Sequence, residues 1–213
     1  MAIKPILFNT EMVRAILDGR KSCTRRIVKH DVEAILNSPY HKEHPEVEDE
    51  QIISKLCIPP YQPGDILYVR ETWQYLYELD GNEQIIEGTG KYYYAATDTI
   101  PFDTYVDASG VTHERVPWHP SIHMPKEAAR IWLKVTNVKV ERLQEITIDG
   151  IRNEGLSSMA VHAGDMKIAL KEWGLLWNST IKKSDLDSYG WNANPWVWVI
   201  EFERCDKPES KVL

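Results

Sequence analysis

The stretch RIWLKVTNVKVERL, Arg130 to Leu143, reads as one long strand, yet its apolar residues change phase on the way. Ile131, Leu133 and Val135 keep one alternation, whereas Val138 and Val140 keep the other. Successive side chains of a strand point to opposite faces, so a phase change between Val135 and Val138 calls for a bulge or a barrel corner. A chain carrying such a strand builds a small, strongly curved sheet rather than a flat one.

Other segments supply the remaining strands. QPGDILYVRETW is a Pro-Gly turn feeding a strand in which Leu67, Val69, Glu71 and Trp73 share one face, KYYYAAT (91–97) is another, and NPWVWVIEFE alternates Trp196, Trp198, Ile200 and Phe202 with Val197, Val199 and Glu201. Helical spacing is confined to a few places. Met12, Val13, Ile16 and Leu17 follow the capping residues Asn9 and Thr10 and stop at Gly19. Thr147 to Asn153 forms a short helix stopped by Gly155, and Asp165 to Trp177 a longer one with Ile168, Ala169, Trp173, Leu176 and Trp177 on one side. Strands and helices in this irregular order predict an α+β fold. Residues 1–205 form a single domain, with an insertion at about 31–60 that holds a helix at Val32 to Leu36 and then an acidic, proline-punctuated loop. Turn formers dominate Thr99 to Pro125, and 206–213 is a flexible tail.

The cysteines bound the setting. Cys23, Cys57 and Cys205 are odd in number and form no CxxC pair, which excludes a disulfide framework and a zinc site of usual spacing and implies a reducing, cytoplasmic location. No run of about 18 apolar residues is present, so a membrane role is not expected. The net charge of -7 argues against a protein that coats nucleic acid, but the charge is unevenly placed. Residues 1–30 hold seven Lys/Arg against two acids, and 31–50 hold seven acids against one Lys. Within the first block, GRKSCTRR gathers Arg20, Lys21, Arg25 and Arg26 around Ser22, Cys23 and Thr24.

Three residues there and downstream suit chemistry. Glu71 falls on an apolar strand face, where a carboxylate needs a cationic partner such as Arg70 or Arg142, or else serves as a structural salt bridge. Lys21, if neutral in a partly dry pocket, accepts a proton from a hydroxyl or water, and Thr24 supplies a hydroxyl. The two meet only if Lys21 still belongs to the turn after Gly19; otherwise they are an exposed surface pair. Trp118 and His119 open a proline-flanked loop suited to stacking on a base. His119 and His123 are four apart, but the prolines prevent the helix that a metal pair at that spacing uses, and no metal is expected. Trp73 is a candidate pocket wall, with Tyr92 to Tyr94 beside it. Trp173, Trp177, Trp196 and Trp198 follow apolar faces and are assigned to the core.

GRKSCTRR resembles the Gly-x-Lys-x-x-Thr-x-Arg motif of ASCH domains, with Gly19, Lys21, Thr24 and Arg26 in place, and PGDILYVRETW resembles their Pro-Gly-Asp strand leading to a glutamate. WHPSIHMPKEAARIWLKVTNVKVERLQEIT, followed by an Asn-Glu-Gly turn, is similar to ASCH proteins of bacteriophages and prophages. The resemblance covers nearly the whole chain. It implies a PUA-like mixed β-barrel with flanking helices and an association with RNA and modified nucleotides. It also implies kinship with bacterial N4-acetylcytidine amidohydrolases, metal-independent and cofactor-free, whose lysine, threonine and glutamate carry over to Lys21, Thr24 and Glu71. Lys21 is then the base, and Glu71 orients it or shuttles a proton to the departing amine. Arg26 is a donor to the oxyanion or to a phosphate, and Arg25, Trp73, Trp118 and His119 join it in binding substrate. The expected partners are a modified nucleoside, RNA or single-stranded nucleic acid. The insertion, which lengthens the chain beyond the compact enzymes, covers the pocket or adapts it. A non-catalytic RNA/DNA-binding module and an ASCH-type ribonuclease are the alternatives. The sequence says nothing of oligomeric state.

Overall fold

The computed structural model describes residues 1–82, 84–100, 105–106, 111–113 and 116–209. Strand β1 (Ile3–Leu7) leads to helix α1 (Thr10–Leu17), whose first turn is capped by the Asn9 side chain accepting from the Met12 amide. The helix buries Val13, Ala15 and Ile16 and ends before Gly19, whose φ of 73° needs no side chain to accommodate. The chain then enters β2 (Cys23–Ile27).

Residues 31–60 carry the expected helix at Val32–Leu36 but differ from the acidic loop expected after it. They form three helices, α2 (Val32–Leu36), α3 (Pro39–Glu43) and α4 (Asp49–Leu56), the first two capped by the Asp31 and Ser38 side chains. Val32, Ile53 and Cys57 are buried in the core shared with the sheet. The acids that suggested a loop sit at helix starts, where Asp49 and Glu50 favour the first turn of α4. Apolar residues between them were enough to dock the segment.

Strand β3 (Ile66–Arg70) is followed by the hairpin of β4 (Trp73–Leu76) and β5 (Lys91–Tyr94), then by the two-residue strands β6 (Tyr105–Val106) and β7 (Thr112–His113). The expected single strand through Trp73 therefore breaks after Arg70. Parts of the turn-rich Thr99 to Pro125 stretch, and the end of the expected tail, lie outside the described residues. The long strand β8 (Trp132–Arg142) shifts register against its neighbour between Val135 and Asn137, the bulge that its phase change demanded. Helices α5 (Ile148–Asn153), α6 (Met159–Ala163), α7 (Met166–Thr180) and α8 (Leu186–Tyr189) precede the last strand, β9 (Trp196–Cys205).

Five strands form one mixed sheet in the order β1-β3-β8-β9-β2, with β1 and β3 parallel and the other pairs antiparallel. This is an α+β architecture. Among the described residues β1 and β2 are the two ends of this hydrogen-bonded order. The Arg26 guanidinium reaches from one to the other, donating to the Leu7 carbonyl.

Each face of the sheet carries its own core. Ile6, Leu67, Val69, Leu133, Trp198 and Ile200 pack with α1 and α4 on one face, and Ile151, Val161, Ala169, Trp173, Trp177 and Val197 pack on the other. With both faces covered, β9 is buried at every position from Trp196 to Ile200. Ile168, expected on the buried side of α7, is 48% exposed. No described helix is long and apolar enough to cross a membrane.

Asp65 ties the edge strand to the sheet. Its carboxylate accepts the Ala2 amide at 2.9 Å and the Gln62 amide at 3.1 Å and pairs with Lys4 Nζ at 2.8 Å. Burial works against the charge, but the bonds from Lys4, Ala2 and Gln62 outweigh it and hold the carboxyl below its ordinary value of 3.8.

Two outcomes follow. Ile53→Ala, at a side chain with no exposed surface, is expected to cost about 2–5 kcal/mol in urea unfolding, whereas Leu56→Ala, at 52% exposure, should change stability little. Asp65→Asn should lose about 2 kcal/mol at neutral pH. Because the folded pKa is depressed, wild type holds this advantage above the ordinary value of 3.8 and loses it as pH falls through the lower folded value, so the urea midpoints of the two proteins should converge as acid is added.

Candidate functional site

The cationic run around β2 does not form one patch. Lys21 precedes the strand and makes an isolated antiparallel bridge with Glu154, the residue just past α5. Within β2, Thr24 lies opposite Ile200 and Arg26 opposite Trp198, so both share the face of the larger core. Cys23 and Arg25 point the other way, where the Cys23 thiol lies 4.0 Å from the Gly150 carbonyl of α5. Strand alternation has divided the motif between two environments.

Lys21, Thr24 and Glu71 are all buried, at 3%, 1% and 1% exposure. The Lys21 ammonium donates to Glu154 Oε2 at 2.6 Å and to the Glu154 carbonyl at 3.0 Å, and lies 5.5 Å from the centroid of the Phe8 ring. An ammonium has three donors, so one remains for another acceptor. Glu154 Oε1 accepts from Arg25 Nη1 at 3.2 Å, and Arg25 reaches on to Glu141 Oε1 through Nε at 2.9 Å and Nη2 at 2.6 Å. Lys139 closes the series on Glu141 Oε2 at 3.2 Å. Buried charge is expensive unless paired, and here positive and negative groups alternate from Lys21 to Lys139.

Glu71 has a partner of its own. Both its oxygens are held by the fork of Arg130, Nε to Oε1 and Nη2 to Oε2, each at 2.9 Å. Arg130 in turn stacks over the Tyr94 ring at 4.0 Å and donates to Thr97 Oγ1 at 2.9 Å. This corrects the expected partners. Arg70 points away and donates to the Met124 and Ile122 carbonyls, and Arg142 stacks on Trp196 at 4.4 Å. Arg130 wins because β8 runs beside β3, and the Val69 amide bonds the Ile131 carbonyl, which brings Arg130 level with the end of β3.

The structure therefore buries the three expected reacting residues but joins no two of them by a hydrogen bond or ion pair among the described residues. The carboxylate that orients Lys21 is Glu154, not Glu71. The signal for Glu154 was present: two cations near a buried strand demand a carboxylate, and the Asn-Glu-Gly turn offered one. Arg25, expected on substrate, is committed to Glu141 and Glu154. Trp73 and His119 are brought together, their backbones paired in both directions and their rings 5.1 Å apart, with Tyr92 5.8 Å from Trp73. The Trp73 indole N–H is buried without a partner among the described residues. Trp118 is half-buried.

The motif offers three small nucleophiles, and their environments separate them. Ser22 is exposed. The Cys23 thiol is pushed up to about 12, first by burial and then by Glu154, against the opposing pull of Arg25 and Lys21, so it stays protonated at neutral pH. Thr24 is buried, and its hydroxyl has no hydrogen-bond partner among the described residues.

No protein-family model matches the chain, and no curated protein matches it. Among solved structures the chain is similar to the ASCH domain from Lactobacillus crispatus JV V101, at 10% identity over 95% of this chain and 79% of that one, with a TM-score of 0.37. It is also similar to a protein from Enterococcus faecalis V583, at 11% identity over 97% and 77% of the two chains and a TM-score of 0.38. A hypothetical protein aligns at 13% identity over 96% and 100%, again with a TM-score of 0.38. The account of the site rests on its own geometry.

Removing one member of the buried fork should be worse than removing both. Arg130→Met leaves the Glu71 carboxylate uncompensated and should cost about 3–5 kcal/mol in urea unfolding, whereas Glu71→Met combined with Arg130→Met should recover most of that loss.

Proposed function

We propose that this protein is an ASCH-type, PUA-like hydrolase acting on a modified nucleoside or RNA, most concretely on the amide of an N4-acylcytidine, with Lys21, Thr24 and Glu71 as its reacting set. The observation that carries the reading is the burial of all three motif residues, since an interior lysine and glutamate each require a dedicated partner to be held there. It is supported by a Cys23 thiol that stays protonated, which leaves the nucleophile's role to a water or the Thr24 hydroxyl.

In this reading the nucleophile, a water or the Thr24 hydroxyl, adds to the acyl carbon. Lys21 first passes a proton to Glu154 Oε2, 2.6 Å away, and the amine lone pair then takes the nucleophile's proton. The tetrahedral centre collapses as its bond to cytosine N4 breaks, N4 gains a proton, and the acyl group leaves as the acid, after hydrolysis of the ester if Thr24 attacked. Glu71, fixed by Arg130, accepts a hydrogen bond from the cytosine amine rather than orienting the lysine. Arg26 is the donor toward substrate. Arg25 positions Glu154, and Trp73 with His119 forms a wall against the base; Trp118 is a further candidate contact.

One observation favours the non-catalytic alternative. Lys21 and Glu71 are each already matched by a partner of opposite charge, as in a purely structural interior. The two readings part under mutation. Release of cytidine from N4-acetylcytidine by wild type is expected, with kcat/KM falling at least ~100-fold in Lys21→Ala, Thr24→Ala and Glu71→Gln variants shown to be folded by circular dichroism. A wild type with no turnover sinks the amidohydrolase reading. Nucleic-acid binding that survives Thr24→Ala and falls steeply with salt would then favour the binding module.

A further inference from the structure

β2 is an edge strand, and a cleft of about 450 Å³ wraps around its free side. Arg26, Lys29 and His30 line it from the strand and its exit, Tyr61 faces them from the segment ahead of β3, and Trp177 and Trp198 close its floor. No carboxylate among the described residues lines it. In a chain of net charge -7 such a volume does not arise from average composition.

Arg26 is the unusual member. It is half-buried, yet only one of its five N–H donors has a partner among the described residues, the Leu7 carbonyl at 3.1 Å. Its cation lies 5.5 Å from the Phe8 ring and forms no ion pair among the described residues; Glu154, the acid that influences it, is taken by Lys21 and Arg25. Burial pushes the guanidinium below its ordinary value, the mark of a cation without a compensating anion. Lys29 and His30 also lack an acidic partner among the described residues. The two fully buried cations among the described residues, Lys21 and Arg25, each have a carboxylate at hydrogen-bond distance. Tyr61, its hydroxyl committed to the Pro5 carbonyl at 2.8 Å, stands beside these cations.

We infer that this cleft takes the phosphate of a nucleotide, with Arg26 and Lys29 on the phosphate and Tyr61 against the nucleoside. The inference rests on the reading above for the nucleoside part of the ligand and adds that the ligand is phosphorylated. A guanidinium with free donors binds phosphate through paired, charge-assisted bonds, and an aromatic ring beside it gives a nucleoside a surface to pack on. The volume lies in the range of sites for small ligands.

Calorimetric titration at low salt with 5′-CMP, cytidine, inorganic phosphate and a short cytidine oligoribonucleotide tests it, on wild type and on Arg26→Gln and Lys29→Gln. Lys134→Gln, remote from the cleft lining, is the charge control. 5′-CMP should bind about tenfold or more tightly than cytidine, Arg26→Gln should remove that advantage, and Lys134→Gln should keep it. Should Arg26→Gln not fold, the exposed Lys29→Gln carries the same comparison with a smaller loss. Tighter binding of the oligoribonucleotide with the same dependence assigns the phosphate to a nucleic-acid chain; preference for 5′-CMP assigns it to a free nucleotide. Equal affinity for 5′-CMP and cytidine, or a 5′-CMP advantage untouched by both variants, overturns the inference. Turnover of N4-acetylcytidine with no gain from a 5′-phosphate would overturn it and leave the hydrolase reading standing, whereas Arg26-dependent 5′-CMP binding without any turnover would do the reverse.

Discussion

An ammonium group shut away from water needs a counter-charge within a few ångströms, and for Lys21 that counter-charge is Glu154 at 2.6 Å. Much of the chain is arranged to make this contact. The turn after α1 must end at Lys21, the turn after α5 must begin at Glu154, and the two must lie backbone to backbone. Gly155 makes that approach possible: its φ is 93°, and a Cβ there would sit 2.7 Å from the Ala15 Cβ and 3.1 Å from the Lys21 Cβ. Any larger residue would drive α1 away from the α5 turn. Through Arg25 and Glu141 the same network extends to β8, so residues more than a hundred positions apart are held by one alternating row of charges. Deleting a single member exposes its neighbour to the full desolvation penalty, which makes the network a strong constraint on register even where its net contribution to stability is small.

Glu71 and Arg130 repeat the arrangement with a different geometry. A lysine pairs through a compact point charge and keeps a donor in reserve, while an arginine fork occupies both oxygens of its carboxylate. The first geometry leaves a group that can exchange protons; the second fixes a group in place. If chemistry runs here, Lys21 and Glu154 are suited to move the proton and Glu71 to hold a substrate amine at a set position. Cys23 stands aside for a physical reason: its burial and the neighbouring Glu154 carboxylate both oppose formation of a thiolate.

Local features of the sequence were readable to the extent that their cause was local. The cap at Asn9, the stop at Gly19, the bulge near Val135 and the short helix after Thr147 each depend on a few neighbouring residues, and each is present. The helix at Val32–Leu36 was expected, but the two that follow it were missed because acidic residues there were read as loop solvation, when the deciding fact was the sheet surface that Ile53 and Cys57 cover. The alternation of the C-terminal strand was legible, but that both of its faces would be covered was not, because α5 to α7 join it only in three dimensions. That Glu71 would be buried followed from its phase; that Arg130 would meet it did not. The choice among Arg70, Arg130 and Arg142 depends on β8 running antiparallel beside β3, which no spacing in the sequence encodes.

The same limit applies to the cationic segment. Counted along the sequence, GRKSCTRR is one basic patch in an acidic protein, but the fold neutralises Lys21 and Arg25 internally and leaves Arg26, with Lys29 and His30, uncompensated. An acidic surface repels a long polyanion over the Debye length, about 8–10 Å at ordinary ionic strength. At closer range, a cleft without carboxylates attracts a single phosphate that fits inside it. Under the phosphate-site proposal the protein would discriminate by local rather than overall charge, since one phosphate at the end of a small ligand or of an unpaired strand needs only Arg26 and its neighbours. The charge asymmetry of the first fifty residues thus has a physical consequence that neither the net charge nor the motif expresses alone.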